Sequence, residues 1–246
     1  MNVGFFFIGS RVLCVLRFPK MDPHVITQGL AQWLCIVVII TLHEFGHAWM
    51  ATRCGDDTAR LLGRVTLNPI AHIDPIGTVA LPLLALLLTA GGAGAAASFI
   101  IGWGKPVPFN PMNLKRRGLD DVFIAMAGPA MNVVLTILVM GVWRVTMLAA
   151  GGHAEGGAAG SIMQACGMMA LLSMYLFFFN LIPVPPLDGS HVLRYFSRMS
   201  YETYSNIARY GFFIIIILIQ IQPVRAALST ATFLSLRVFM TLFGIN

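Results

Sequence analysis

Two histidines and a glutamate, in His43-Glu44-Phe45-Gly46-His47, stand inside an otherwise apolar stretch running from about Leu30 to Met50. On a helix, residues four apart share a face and lie one turn, about 6 Å, apart along the axis, so both imidazoles reach one metal ion. Glu44 is then placed to act as a base on a metal-activated water. The setting adds to the spelling, because an ionisable group in lipid is costly and reads first as a functional site. Zinc needs a third protein ligand and keeps its fourth position for water. With six histidines and ten acidic residues in the chain, candidates are few. Asp188 stands out, at the end of an apolar run and behind Pro183, Pro185 and Pro186. Those prolines break the helix and free backbone groups, tolerated in a membrane only beside protein or a water-filled cavity. Two neutral polar side chains, Asn132 and Asn180, lie within apolar spans and can exchange hydrogen bonds with a cavity.

These residues need helices in a bilayer to hold them. The chain has 246 residues, 57% hydrophobic and only 11% charged, with mean hydropathy +0.80. Soluble domains carry roughly 25% charge, so the composition describes an integral membrane protein. The +6 net charge lies in short loops between apolar runs, which reads as membrane topology and excludes nucleic acid as a partner. Four scattered cysteines, Cys14, Cys35, Cys54 and Cys166, form no C-x-x-C pair and read as free, mostly buried thiols. Met1 to Phe18 is apolar, broken by Arg11 and Arg17, and without a small-residue cleavage site, so a short membrane or interfacial helix is expected there.

Runs long enough to span a bilayer, roughly 20 residues, lie at about 29–52, 77–102, 122–149 and 162–186, and 206–243 holds two more. The expected fold is an all-α polytopic membrane protein with about five to six transmembrane helices. Basic residues cluster after the first run (Arg53, Arg60, Arg64), the second (Lys105, Lys115, Arg116, Arg117) and the fourth (Arg194, Arg198, Arg209). The positive-inside tendency puts all three loops in the cytoplasm, which a single crossing by 77–102 forbids. That segment, with Thr89-Ala90-Gly91-Gly92-Ala93-Gly94 near its middle, is therefore expected to dip in and return, or to lie folded near the interface.

Three elements in this order resemble the site-2 protease family of intramembrane zinc metalloproteases: HEFGH at 43–47, Gly128-Pro129 with Asn132, and the stretch from Asn180 to Gly189 ending Pro186-Leu187-Asp188-Gly189. The likeness to compact bacterial members, without PDZ or CBS domain, extends to Asn68-Pro69-Ile70-Ala71-His72-Ile73-Asp74-Pro75 and to Gly102-Trp103-Gly104-Lys105-Pro106-Val107. The resemblance implies one zinc ion on His43, His47 and Asp188, Glu44 as the catalytic base, and Asn132 and Asn180 lining the site. It also implies a single domain over 1–246, with a catalytic core at about 29–195 and no inserted peptide-binding or nucleotide-sensing module. The substrate would be a transmembrane or membrane-anchored protein, cut near the cytoplasmic side of the cell membrane. Only an even number of crossings by 77–102 puts all three motifs at one face. The mechanism expected is a zinc-activated water with Glu44 moving the proton.

Simpler readings stand beside these. Asp188 in Pro-Leu-Asp-Gly fits a plain turn, and interhelical hydrogen bonding alone would account for Asn132 and Asn180. His191, three residues past Asp188, could serve as a ligand or as the partner of one, though it reads first as a loop histidine near the site, and His72 and Asp74 read as polar neighbours that approach the metal or orient a ligand. His24 and His153 read as solvated, and Phe177-Phe178-Phe179 as lipid-facing and packing bulk. A non-enzymatic metal-binding protein or carrier is the rival function. It has no need of Glu44, and a carrier tends to show internal repeats, of which none is visible.

Overall fold

A computed structural model of the chain describes residues 7–8, 11–12, 23–92, 94, 102–151 and 157–245. Five helices are long and apolar enough to cross a membrane: α1 (Pro23–Cys54), α4 (Arg117–Ala149), α5 (Gly157–Asn180), α7 (Tyr201–Gln220) and α8 (Gln222–Phe243). Shorter helices lie between them, α2 (Thr58–Leu61), α3 (Leu81–Ala90) and α6 (Gly189–Ser197). The protein is an all-α, multi-pass membrane protein. One local expectation fails: Phe7–Ile8 (β1) and Arg11–Val12 (β2) pair as antiparallel strands where a helix over Met1–Phe18 was predicted. The rest of that segment, with Cys14, lies outside the described residues.

Helix ends follow local chemistry. The span predicted at 162–186 stops at Asn180, because prolines 183, 185 and 186 have no N–H to continue the ladder. The last region divides at Ile221, and Pro223 sits in the first turn of α8, where its missing N–H costs nothing.

The 77–102 segment does not run straight through. Asp74 caps a π-helical turn over Pro75–Ala80 by accepting from the amides of Ile76 and Gly77, and α3 follows. Sixteen residues at 1.5 Å make about 24 Å, short of a ~30 Å core. The far end then meets the near one: the Trp103 amide donates to the Gly77 carbonyl (3.2 Å) and the Thr78 hydroxyl to the Trp103 carbonyl (2.7 Å). Both ends of the segment therefore lie at the same level. Residues 95–101 lie outside the described set.

α4 is the central helix, packed against α5 on one side and α1 on the other. Met140, Ala170, Met174 and Leu236 join α4, α5 and α8 in one core, and Ala51, Cys54, Leu114 and Ile124 join the end of α1 to the start of α4. In a bilayer, close packing replaces the hydrophobic drive between helices, and small residues permit it. At Gly46 a Cβ would lie 2.6 Å from the Ala127 carbonyl oxygen and 2.7 Å from Met131 Cγ. α1 and α4 therefore touch backbone to backbone beside His47.

Candidate metal centre

The crossing of α1 and α4 sets the site. His47 lies seven residues from the Cys54 end of α1, and Ile124 seven from the Arg117 start of α4, so both stand about 10 Å inside their helix ends. His47 Nδ1 lies 2.7 Å from the Ile124 carbonyl. A carbonyl only accepts, so Nδ1 carries the proton and Nε2 presents its lone pair. That lone pair faces His43 Nε2 at 3.0 Å and Asp188 Oδ1 at 3.5 Å, and His43 Nε2 lies 3.1 Å from Asp188 Oδ2. Gly128 makes room for them, since a Cβ there would press on His47 Nε2 and lie 2.7 Å from His43 Nε2.

Asp188 arrives from the turn after α5. It stands at the N-cap of α6, where an aspartate normally accepts from the helix's first amides, yet its side chain makes no such bond. The carboxylate turns toward the histidines instead, with no hydrogen-bond donor aimed at Oδ2. Ligand atoms of His43, His47 and Asp188 all lie within 4.8 Å of one another, mostly buried. Tetrahedral zinc with bonds of about 2.0–2.1 Å sets its ligand atoms about 3.3 Å apart, and the observed 3.0, 3.1 and 3.5 Å separations fit that size. The donor set, two imidazoles and a carboxylate, is one zinc takes with a fourth position open.

Glu44 is part-buried and shares with His43, His47 and Asp188 a cavity of about 670 Å³, walled largely by apolar side chains including Ile40, Val107, Leu176 and Phe179. One wall is the stretch 102–110, which belongs to no helix or strand. Gly104 lets it pass close to α1, for a Cβ there would lie 2.6 Å from Ile40 Cγ2, one turn before Glu44. Buried Arg64 pins this wall by donating to the carbonyls of Ala71, Lys105 and Pro106. Asp56, fully buried just after α1, accepts from the Asn110 amide and the Asn113 side chain. Burial raises the Asp56 carboxyl, but bonds from Thr58, Asn113 and Asn110 outweigh it and hold the group below its ordinary range.

The other sequence candidates are distributed unevenly. Asn180 lines the cavity, donating to its own helix at Leu176 (3.1 Å), while its Oδ1 has no partner among the described residues. Asn132 is wholly buried one turn beyond Gly128, with neither side-chain atom bonded. His72 is buried with Nε2 against the Thr66 carbonyl, and Asp74 caps the π-helical turn, so neither joins the ligand group. His191 lines the cavity but bonds elsewhere, Nδ1 to Asp121 (2.9 Å) and Nε2 to the Tyr204 hydroxyl (3.1 Å). Phe177 and Phe178 pack against the core, while Phe179 faces the cavity. Cys35, Cys54 and Cys166 are buried free thiols, and His153 lies outside the described residues.

Sequence reasoning passed over Gly128 as a clearance, Arg64 as a pin, and Asp121. The Gly128-Pro129 pair was the one visible signal for the first. Nothing local distinguishes Asp121, whose partners lie about 70 residues away.

The family model described as peptidase family M50 matches residues 31–153 and 145–219, which carry every residue of the centre. The chain belongs to peptidase family M50. Membership makes this M50 chain a zinc metalloprotease of the site-2 protease kind. It is similar to "Putative zinc metalloprotease YwhC" of Bacillus subtilis (strain 168), 36% identical over 173 residues, 67% of this chain and 69% of that protein. It is also similar to "Putative zinc metalloprotease Rip2" of Mycolicibacterium smegmatis, 30% identical over 194 residues, 77% of this chain and 65% of that protein. For Rip2 of Mycobacterium tuberculosis (strain ATCC 35801 / TMC 107 / Erdman) the identity is 31% over 171 residues, 70% and 58% of the two chains. The M50 chain thus spans about two thirds of these relatives' length or less. No solved structure matches it.

Proposed function

We propose that this M50 chain is an intramembrane endopeptidase that cuts a peptide bond within or near the transmembrane segment of a membrane-protein substrate. It holds one zinc ion on His43, His47 and Asp188 and uses Glu44 as general base. The observation that carries the reading is the convergence of those ligand atoms beside Glu44 in one cavity between apolar helices. When bound, zinc polarises the scissile carbonyl and acidifies the attacking water. Glu44 accepts the water's proton and hands it to the departing amine. His47, held through Nδ1 by Ile124, would present its Nε2 lone pair to the ion. Asn180 offers Oδ1 and an N–H to a substrate backbone that has left its helix, and unwinding is needed because helical amides are already hydrogen-bonded.

Residues 1–246 act as one domain in the cell membrane, with the catalytic core at about 29–195 and the centre toward the cytoplasm. The ends of 77–102 lying together support that sidedness, because they let the basic loops at 53–64 and 105–117 share one face. The test is cleavage of single-span substrates by the purified chain in vesicles. Cutting that stops with a zinc chelator and returns with zinc supports the reading. A chain that holds zinc and cuts none of a broad single-span panel favours a metal carrier instead.

A further inference from the structure

One buried network stands outside the chemistry just described. Asp121, on the first turns of α4, has a side chain only 3% exposed, and its Oδ2 accepts from two donors on α6: His191 Nδ1 at 2.9 Å and an Arg194 guanidinium nitrogen at 2.8 Å. The chain of bonds continues through His191 Nε2 to the Tyr204 hydroxyl on α7 (3.1 Å), from Tyr204 to Ser190 (3.0 Å), and from Ser190 to the Leu187 carbonyl (2.5 Å). Leu187 and Ser190 bracket Asp188 and Gly189. Arg194 also lies over the rings of Tyr201 and Tyr204.

Asp188 needs such a fixture. It is the N-cap of α6 and makes no capping bond there, so the helix it precedes does not fix the carboxylate. Metal ligands are normally oriented by hydrogen bonds around them. The two histidines ride on a helix of 32 residues, whereas α6 has nine and follows a proline-rich turn. α4 is the natural anchor, because Ile124, one turn past Asp121 on the same helix, orients His47. One helix thus reaches both halves of the centre.

We infer that Asp121 is a positioning residue: by accepting from His191 and Arg194 it locks α6 onto α4 and sets the Asp188 carboxylate opposite the histidine nitrogens. The inference rests on the reading of Asp188 as a zinc ligand. Its neighbour Asp120 supplies the comparison, being equally buried but tied to Arg116 and not to α6.

The experiment compares the full-length protein with Asp121→Asn, Asp120→Asn and Asp188→Asn in detergent micelles, each checked for helix content. Zinc affinity is read by competition with a chromogenic chelator, and the geometry of the centre by the visible absorption of the cobalt-substituted protein. Asp121→Asn is expected to bind zinc 10- to 100-fold more weakly, the usual loss when an outer partner is removed, with an altered cobalt spectrum. Asp120→Asn is expected to match wild type in both. The inference is overturned if Asp121→Asn matches wild type, or if Asp120→Asn loses as much, since that is general loosening. Wild type and Asp188→Asn binding zinc equally would overturn the ligand reading itself, and the inference with it.

Discussion

Gly128→Ala adds one methyl group at the point where α4 faces both histidines. The new Cβ would press on His47 Nε2, lie 2.5 Å from His47 Cε1 and 2.7 Å from His43 Nε2. Real Cβ atoms essentially never come within 3.0 Å and make ordinary contact at 3.4 Å or more, so something moves by about half an ångström to an ångström. His47 cannot turn away freely, because Nδ1 is held by Ile124 on the same helix as the new methyl. Nor does α1 lie loosely on α4, given their contact at Gly46. Overpacking of this kind costs about 1–3 kcal/mol, and misplacing a reacting group by about 1 Å costs on the order of 100-fold in rate. Cleavage of a single-span substrate should therefore fall about 100-fold, with helix content unchanged and zinc held more weakly. Gly141→Ala on the same helix is the control, for its Cβ would lie 3.8 Å from Phe243, an ordinary contact. Activity of Gly128→Ala within threefold of wild type would refute the clearance argument.

Three further outcomes follow from the surroundings of the centre. The folded Asp56 carboxyl lies below its unfolded value, so its stabilisation is complete above about pH 4 and disappears as pH falls through the folded value. Hydrogen exchange at the Asn110 amide should accelerate in acid, and Asp56→Ala should show the faster rate at neutral pH, by about 1–3 kcal/mol of lost protection. Arg64→Gln removes the guanidinium that ties Lys105 and Pro106, so exchange across 102–107 should rise at least about tenfold, since charged bonds contribute about 1.5–3 kcal/mol. Topology reporters inserted near 62 and near 116 should report the same side of the membrane, and opposite signals would contradict the returning segment.

Much of the centre was legible in residue types. The spacing in HEFGH put two imidazoles on one helix face with a glutamate beside them, Asp188 stood out because a carboxylate after an apolar run wants a cation, and the structure brings the two histidines and Asp188 together. The charge pattern, not hydropathy, exposed 77–102: its composition matches a span, and only the basic loops on both sides spoke against one crossing. Less legible were features that exist through contact. Gly128 is one glycine among 24 until two imidazoles are placed against it. Asp121 looks like one more acid near the start of α4, and its donors come from about 70 residues on. His72 and Asp74 drew notice as polar residues near a site, but a buried histidine needs any satisfying carbonyl and an aspartate before Pro75 caps a turn, and those local demands set their positions. Helix ends moved where proline removed a donor, as after Asn180.

The proposed chemistry turns on Glu44 as the group that moves the proton while His43, His47 and Asp188 hold the ion. Zinc content and cleavage of one single-span substrate, measured side by side for wild type and Glu44→Gln, test it most directly. The prediction is one zinc per chain in both proteins and a rate in Glu44→Gln lower by about 100-fold or more. Zinc retained with cleavage at the wild-type rate would contradict it.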